Sequence, residues 1–155
     1  MSAATIRRAC DPTTFGLFHA LQREYEESLP PDLRHSLSGV EHLPRIYAEP
    51  NAAFVAFVGD FAAGCVAARR LDASTNILQR LYVKPAYRGL GIARGLVGAV
   101  ISDSRSHRYQ RVVLDTDHRQ LEPAYALYLA LGFTECEPYS PVDYASPTYM
   151  ELSLH

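Results

Sequence analysis

Residues 77–105 read ILQRLYVKPAYRGLGIARGLVGAVISDSR, and the pattern changes character twice within that stretch. Ile77, Leu78, Leu81, Tyr82 and Val83 form an apolar run that Pro85 stops, which predicts a strand over residues 77–83. From Gly91 to about Arg105 the apolar residues Ala93, Leu96, Val97, Val100 and Ile101 recur at helical spacing, which predicts an amphipathic helix. The connection is Arg88-Gly89-Leu90-Gly91-Ile92-Ala93-Arg94. The first amides of a helix have no internal partner and sit at the positive end of its dipole, so they can accept an anion together. Gly89 and Gly91 remove side chains that would hold an anion away from the backbone. Arg88 and Arg94 bracket the turn with charge-assisted donors. Arg80, Lys84, Arg88 and Arg94 fall within this one segment, which predicts a local anion site built for phosphates.

The flanking sequence supplies the setting. Residues 4–9 predict a short strand. Asp11-Pro12 opens a helix that carries Phe15, Phe18, Leu21, Gln22 and Tyr25 on one face and ends at Pro30-Pro31. A second helix is expected over about residues 39–47, ahead of Pro50. Residues 52–58 and 62–71 read as a hairpin about Gly59-Asp60, and the strand over 77–83 continues it as an antiparallel meander. Beyond the long helix, residues 111–117 predict a strand. Residues 123–131 predict a helix with Ala124, Leu127, Tyr128 and Leu131 at i, i+3, i+4 and i+7, followed by Gly132 where a terminal glycine belongs. Residues 133–137 and 148–154 close the sheet around a loop rich in Pro and Tyr. The order β-α-α-β-β-β-α-β-α-β-β predicts an α/β (α+β) fold: a mixed, mostly antiparallel central sheet flanked by helices, as one domain over residues 1–155.

Composition excludes several classes. The formal net charge is −2, which disfavours a nucleic-acid partner. Cys10, Cys65 and Cys136 are odd in number and far apart, so neither a disulfide scaffold nor a zinc site is expected, and a reducing, cytoplasmic location is. The six histidines show no ligand spacing, and no metal is expected. Residues 1–10 hold no signal-like apolar run, and the apolar stretch 52–68 is broken by Gly59-Asp60 and Gly64, so no membrane association is expected. The phosphate loop lacks the Gly-Lys-Ser/Thr of a nucleotide P-loop. It resembles a dinucleotide fingerprint, with Asp115 or Asp117 as the acidic partner, but it follows a meander and leaves no second βαβ half.

Arg88, Gly91 and Ala93 fit the Gln/Arg-x-x-Gly-x-Gly/Ala signature of the GNAT superfamily of N-acetyltransferases, and the lead-in Leu81-Tyr82-Val83-x-Pro85-x-Tyr87-Arg88-Gly89 is similar to that family's strand and loop. Downstream, Ala126-Leu127-Tyr128-x-x-x-Gly132-Phe133 resembles its second signature. The clear resemblance covers about residues 64–139. It implies a GNAT-like fold and acetyl-CoA as cosubstrate. Backbone groups of Leu81 and Val83, with Tyr82 between them, would pair with the pantetheine arm. The amides of Gly89, Leu90, Gly91, Ile92, Ala93 and Arg94, beside Arg88, would hold the pyrophosphate. The strand ending at Val83 would present an N–H to the oxyanion, and Tyr128 would lie near the thioester sulfur as general acid. The acceptor implied is an amine on a small molecule, amino acid or peptide, attacked directly in a ternary complex, and relatives of this kind are often homodimers.

One departure stands out. Many relatives place a Glu in the strand before the phosphate loop, where this chain has Asn76, Ile77 and Leu78, none of them a base. Glu24, Glu26, Glu27, Asp115, Asp117 and His118 are the other candidates, the acidic ones each expected as a solvated surface residue. The same departure leaves open a non-catalytic acyl-CoA-binding sensor module. The Tyr-rich segment 139–149 leaves open a protein-interaction surface. Residues 24–37 and 138–147 are expected to shape the acceptor pocket.

Overall fold

The structure, a computed structural model, describes residues 4–142 and 144–154. The elements are β1 (Thr5–Arg8), α1 (Pro12–Ser28), α2 (Leu43–Ile46), β2 (Ala52–Val58), β3 (Phe61–Asp72), β4 (Thr75–Val83), α3 (Ile92–Ser106), β5 (Arg111–Thr116), α4 (Glu122–Ala130), β6 (Thr134–Glu135) and β7 (Thr148–Ser153). Short 3-10 turns at Pro31–Leu33, Val40–His42 and Pro85–Tyr87 join them. This is the element order read from the sequence, with one correction. The second helix expected over 39–47 is a 3-10 turn followed by a single α turn, with Pro44 in its first turn, and Leu43 and Tyr47 anchor it in the core. α1 begins as expected: Asp11 accepts the Thr14 amide at 2.7 Å, with Pro12 next in line. It ends where Leu29, preceding Pro30, turns to extended backbone.

The seven strands form one sheet in the order β1-β2-β3-β4-β5-β7-β6. Every pairing is antiparallel except β4 with β5. Helices cover both faces, which is why β2 is apolar at every position rather than at alternate ones. Ala52, Phe54 and Ala56 face α3 and α4, together with Val66, Val112, Leu114 and Met150. Ala53, Val55 and Phe57 face α1 and α2. Gly64 is required by close approach. A Cβ there would stand 2.6 Å from the Tyr82 carbonyl oxygen and 3.3 Å from Val83 Cα, so glycine lets β3 lie flush against the end of β4.

The feature that positions the site is the opening between β4 and β5. The parallel pair is bonded only from Thr75↔Arg111 to Ile77↔Val113. β4 then bulges: Arg80 takes φ 62, and its register with β3 shifts between Cys65 and Ala67. An extra residue on one strand bends it and increases its twist. The bulge therefore accompanies the departure of residues 78–83 from β5. A non-glycine residue in the left-handed region costs about 1 kcal/mol or more, and such strain persists where surrounding contacts over-determine it. Here Arg80 is tied to Glu26 of α1 at 3.2 Å.

Candidate active site

The phosphate loop has the form its sequence implies. Gly89 and Gly91 take φ 81 and φ 79, and Gly91 caps α3 without any side-chain cap. The first bond within the helix runs from the Gly95 amide to the Gly91 carbonyl at 3.1 Å, so the amides of Ile92, Ala93 and Arg94 have no helical acceptor. A Cβ built on Gly89 or Gly91 meets nothing within 4 Å. The space beyond is a cavity of about 260 Å³ that Val83, Arg88, Ala93 and Arg94 line. Arg88 is fixed across the mouth: its Nε donates to the Val83 carbonyl at 3.0 Å, and its guanidinium lies 5.9 Å from the centre of the Tyr82 ring.

A second cavity, of about 370 Å³, shares Val83, Arg88, Ala93 and Leu127 with the first. It runs between Leu81–Val83 of β4 and Ala124 of α4 to Tyr25 and Leu29 at the end of α1. Along it β4 has already parted from β5, so its backbone groups on that side are open to a ligand that pairs like a strand, apart from the Val83 carbonyl, which already accepts the Arg88 Nε. Tyr25 also lines a third cavity, of about 510 Å³, with Leu78, Gln79, Arg80, Asp115 and Tyr144. Tyr25 is therefore the junction of a cleft that runs from the phosphate loop to a separate chamber. Burial, and then the charge of Glu26, push its hydroxyl pKa up to about 12.

The third chamber is polar at one wall. Asp115 accepts the Tyr139 hydroxyl at 2.8 Å on one carboxylate oxygen and the Tyr144 hydroxyl at 2.7 Å on the other. Burial raises both phenol pKa values far above neutrality, and the Asp115 carboxylate raises them further. The loop holding these tyrosines is itself braced: Tyr149 donates to the Ser140 carbonyl at 2.8 Å and packs edge-on against Tyr139 at 5.2 Å. On the opposite wall Arg80 is paired with Glu26, whose other oxygen accepts the His35 amide. Tyr128 on α4 is 6% exposed, with its ring 5.7 Å from Phe133. Burial drives its hydroxyl pKa well above the usual phenol value, with further contributions from Tyr25 and Asp115, and Tyr128 lines none of the three cavities.

Free helix amides opening onto a cavity that is continuous with a cleft along an unpaired strand edge have the shape to hold a long ligand that carries a pyrophosphate. The model of the acetyltransferase (GNAT) family matches residues 15–133. The chain belongs to the GNAT acetyltransferase family. It is 31% identical over 113 residues to the uncharacterized N-acetyltransferase YsnE of Bacillus subtilis (strain 168), covering 72% of each chain. It spans 36% and 57% of the length of two further relatives. Its fold is that of a GNAT-family acetyltransferase from Staphylococcus aureus, with TM-score 0.81 at 17% identity over 99% of this chain and 100% of the other. It is also that of yncA from Salmonella typhimurium, determined with its cofactor acetyl-CoA, with TM-score 0.79 at 20% identity over 99% and 95%. The chain is thus an acetyltransferase enzyme that uses acetyl-CoA.

Not every residue of the acetyltransferase singled out from sequence meets at the site. Leu81, Tyr82, Val83, Arg88, Gly89, Gly91, Ile92, Ala93 and Arg94 line the first two cavities. The Leu90 side chain is 45% exposed and lines neither, so only its backbone is available. Arg80 and Lys84 do not belong to the anion site: Arg80 pairs with Glu26, and Lys84 with Glu24, each at 3.2 Å. Asp115 and Asp117 are not solvated surface residues. Asp115 is half-buried under two tyrosines, while Asp117 is buried and caps the turn before α4, accepting the Arg119 and Gln120 amides. Asn76 is buried against the Ser104 hydroxyl at 2.9 Å. A Cβ at Gly98 would meet nothing within 4 Å, whereas one at Gly95 would meet Ile6 of β1 at 3.1 Å. Sequence reasoning missed Tyr25 as the junction, and missed Tyr139 and Tyr144 as the partners of Asp115. The concentration of tyrosines over 139–149 was the only local signal of that wall.

Proposed function

We propose that this acetyltransferase moves the acetyl group of acetyl-CoA to a primary amine of a small molecule, amino acid or peptide, by direct attack in a ternary complex. The observation that carries this reading is the meeting of two chambers at Tyr25, one continuous with the phosphate loop and one not. Such a layout lets donor and acceptor be bound at once, which converts a bimolecular encounter into an oriented intramolecular one. None of the chain's cysteines lines the cleft or the chamber, which favours direct attack over a thiol-bound acetyl intermediate.

In this reading the amides of residues 89–94 and the Arg88 and Arg94 side chains hold the pyrophosphate, and β4 residues 81–83 align the arm. Backbone N–H groups freed where β4 leaves β5 stabilise the oxyanion that develops on the acetyl carbonyl. Tyr128 presents its hydroxyl to the departing sulfur. Burial keeps that hydroxyl protonated, so it is available as the donor to the departing sulfur in the general-acid role the family resemblance implies. The exposed, unpaired Cys10 is consistent with a reducing cytoplasmic setting.

Thiol release measured across a panel of amines tests the reading. Initial rates at varied acetyl-CoA and amine should give intersecting double-reciprocal lines. Parallel lines would indicate a covalent intermediate instead. Acetyl-CoA binding without thiol release from any amine would make the chain a sensor rather than a catalyst.

A further inference from the structure

We propose that Asp115 is the residue that receives the acceptor amine and takes its proton, and that its chamber selects amines with no acid group beside the nitrogen. This rests on the N-acetyltransferase reading above. Asp115 lies two residues past Val113, the last β5 residue bonded to β4, on the bank of the opening across from Gln79 and Arg80. Val112 and Leu114 face α3, so strand alternation turns Asp115 toward α1, where Tyr25 marks the end of the donor cleft. The carboxylate missing at Asn76, Ile77 and Leu78 of β4 is therefore supplied from the facing strand.

The hydrogen bonding suits a proton acceptor. Each Asp115 oxygen takes one tyrosine O–H, and a carboxylate oxygen has room for a second donor, so an amine can be received without displacing either tyrosine. Both tyrosines are neutral donors, which orient the carboxylate without cancelling its charge. Among the described residues no Lys, Arg or His lies within ion-pair distance of Asp115. Arg80, the arginine of this chamber, already shares its charge with Glu26. His35 faces the same Glu26 carboxylate, with 3.5 Å between Nδ1 and Oε1. An acceptor carboxylate next to the amine would thus sit beside Asp115 with no cation of its own, a like-charge contact that disfavours binding. Leu78, Pro141, Val142 and the Tyr25 ring supply an apolar surface for the body of the molecule, in a volume of small-ligand size.

The chemistry balances as follows. The amine lone pair forms the N–C bond while the carbonyl π pair moves to oxygen. That pair returns, the C–S bond breaks, and its electrons leave on sulfur. At pH 7 the bound ammonium first gives one proton to Asp115, and through it to solvent, which frees the attacking lone pair; the second proton, shed by nitrogen after attack, is matched by the proton the released thiolate takes up.

The full chain is assayed by thiol release with phenethylamine, phenylalanine methyl ester and phenylalanine. Phenethylamine and the ester should exceed phenylalanine in kcat/KM by about tenfold or more, the size expected for one unpaired charge. Asp115→Asn should lower kcat/KM for phenethylamine by about 10²-fold at pH 7, in the range of general-base effects. The deficit should shrink as pH approaches about 10, where the amine is already neutral. The titratable and charged groups around Asp115 are Tyr25, Glu26, His35, Arg80, Asp117, Tyr128, Tyr139, Tyr144 and Tyr149, and Asp115→Asn leaves all of them in place. Acetyl-CoA affinity by calorimetry should stay within about twofold, which also reports that the variant is folded. Tyr144→Phe, which removes one donor to Asp115, should lie between wild type and Asp115→Asn and keep the wild-type pH profile. A deficit independent of pH, an Asp115→Asn enzyme as fast as wild type, or phenylalanine as good a substrate as phenethylamine each overturns the proposal. Turnover of other amines but not phenethylamine overturns the acceptor class alone. Absence of turnover with every amine, despite acetyl-CoA binding, overturns the acetyltransferase reading beneath it.

Discussion

Gly91→Val removes acetyl-CoA binding to the limit of calorimetric detection. Two effects combine. Gly91 holds φ 79 at the cap of α3, a conformation that costs an L-residue about 1–2 kcal/mol and a β-branched one more. The new side chain also projects into the space that the glycine leaves open, where a phosphate would meet the amides of Ile92, Ala93 and Arg94. Charge-assisted hydrogen bonds are worth about 1.5–3 kcal/mol each, so losing two of the three weakens binding by roughly 10³-fold. Gly98→Ala is the matched control. It lies in the interior of the same helix with nothing within 4 Å of the added Cβ, so it should bind normally and melt slightly higher, alanine being favoured over glycine there by about 1 kcal/mol. A Gly91→Val protein that binds acetyl-CoA within a few-fold of wild type would mean that the phosphates sit elsewhere.

Tyr128→Phe lowers kcat by about 10²-fold, the loss typical of removing one preorganised donor to a developing negative charge, and leaves acetyl-CoA affinity unchanged. The phenyl ring of the variant fills the same place against Phe133, so packing is kept and only the hydroxyl is lost. Because burial raises the wild-type hydroxyl above the usual phenol value, Tyr128 should contribute no alkaline limb to the pH profile where an ordinary phenol titrates. Steady-state kinetics with acetyl-CoA and a competent amine check both points. A kcat within twofold of wild type would make Tyr128 a core tyrosine whose hydroxyl is incidental to the chemistry.

The local chemistry of the chain was legible where neighbours in sequence are neighbours in space. Asp11-Pro12 at the start of α1, Gly59-Asp60 in the hairpin, Gly132 after α4 and the glycines of the phosphate loop each specify a backbone conformation within a few residues. The apolar run of β2 likewise marked a strand of a hairpin, and the fold buries both its faces. What stayed hidden depends on partners far away in the chain. Nothing near Arg80 indicates a left-handed residue, because the bulge is held by Glu26, 54 positions earlier. Nothing near Asp115 separates it from a surface acid, because Tyr139 and Tyr144 reach it across 24 and 29 residues. Tyr25 read as one more residue of an amphipathic face. Its place at the junction follows only from how α1 crosses the opening between β4 and β5. The site is thus half local motif and half tertiary coincidence.

The central claim is that a pyrophosphate is held by the amino end of α3. Titration of the ¹⁵N-labelled chain with acetyl-CoA, followed by amide chemical shifts, tests it most directly. The expected result is that the largest shifts fall on the amides of residues 89–94, with smaller ones on 81–83. Saturable binding that leaves residues 89–94 unmoved would contradict it.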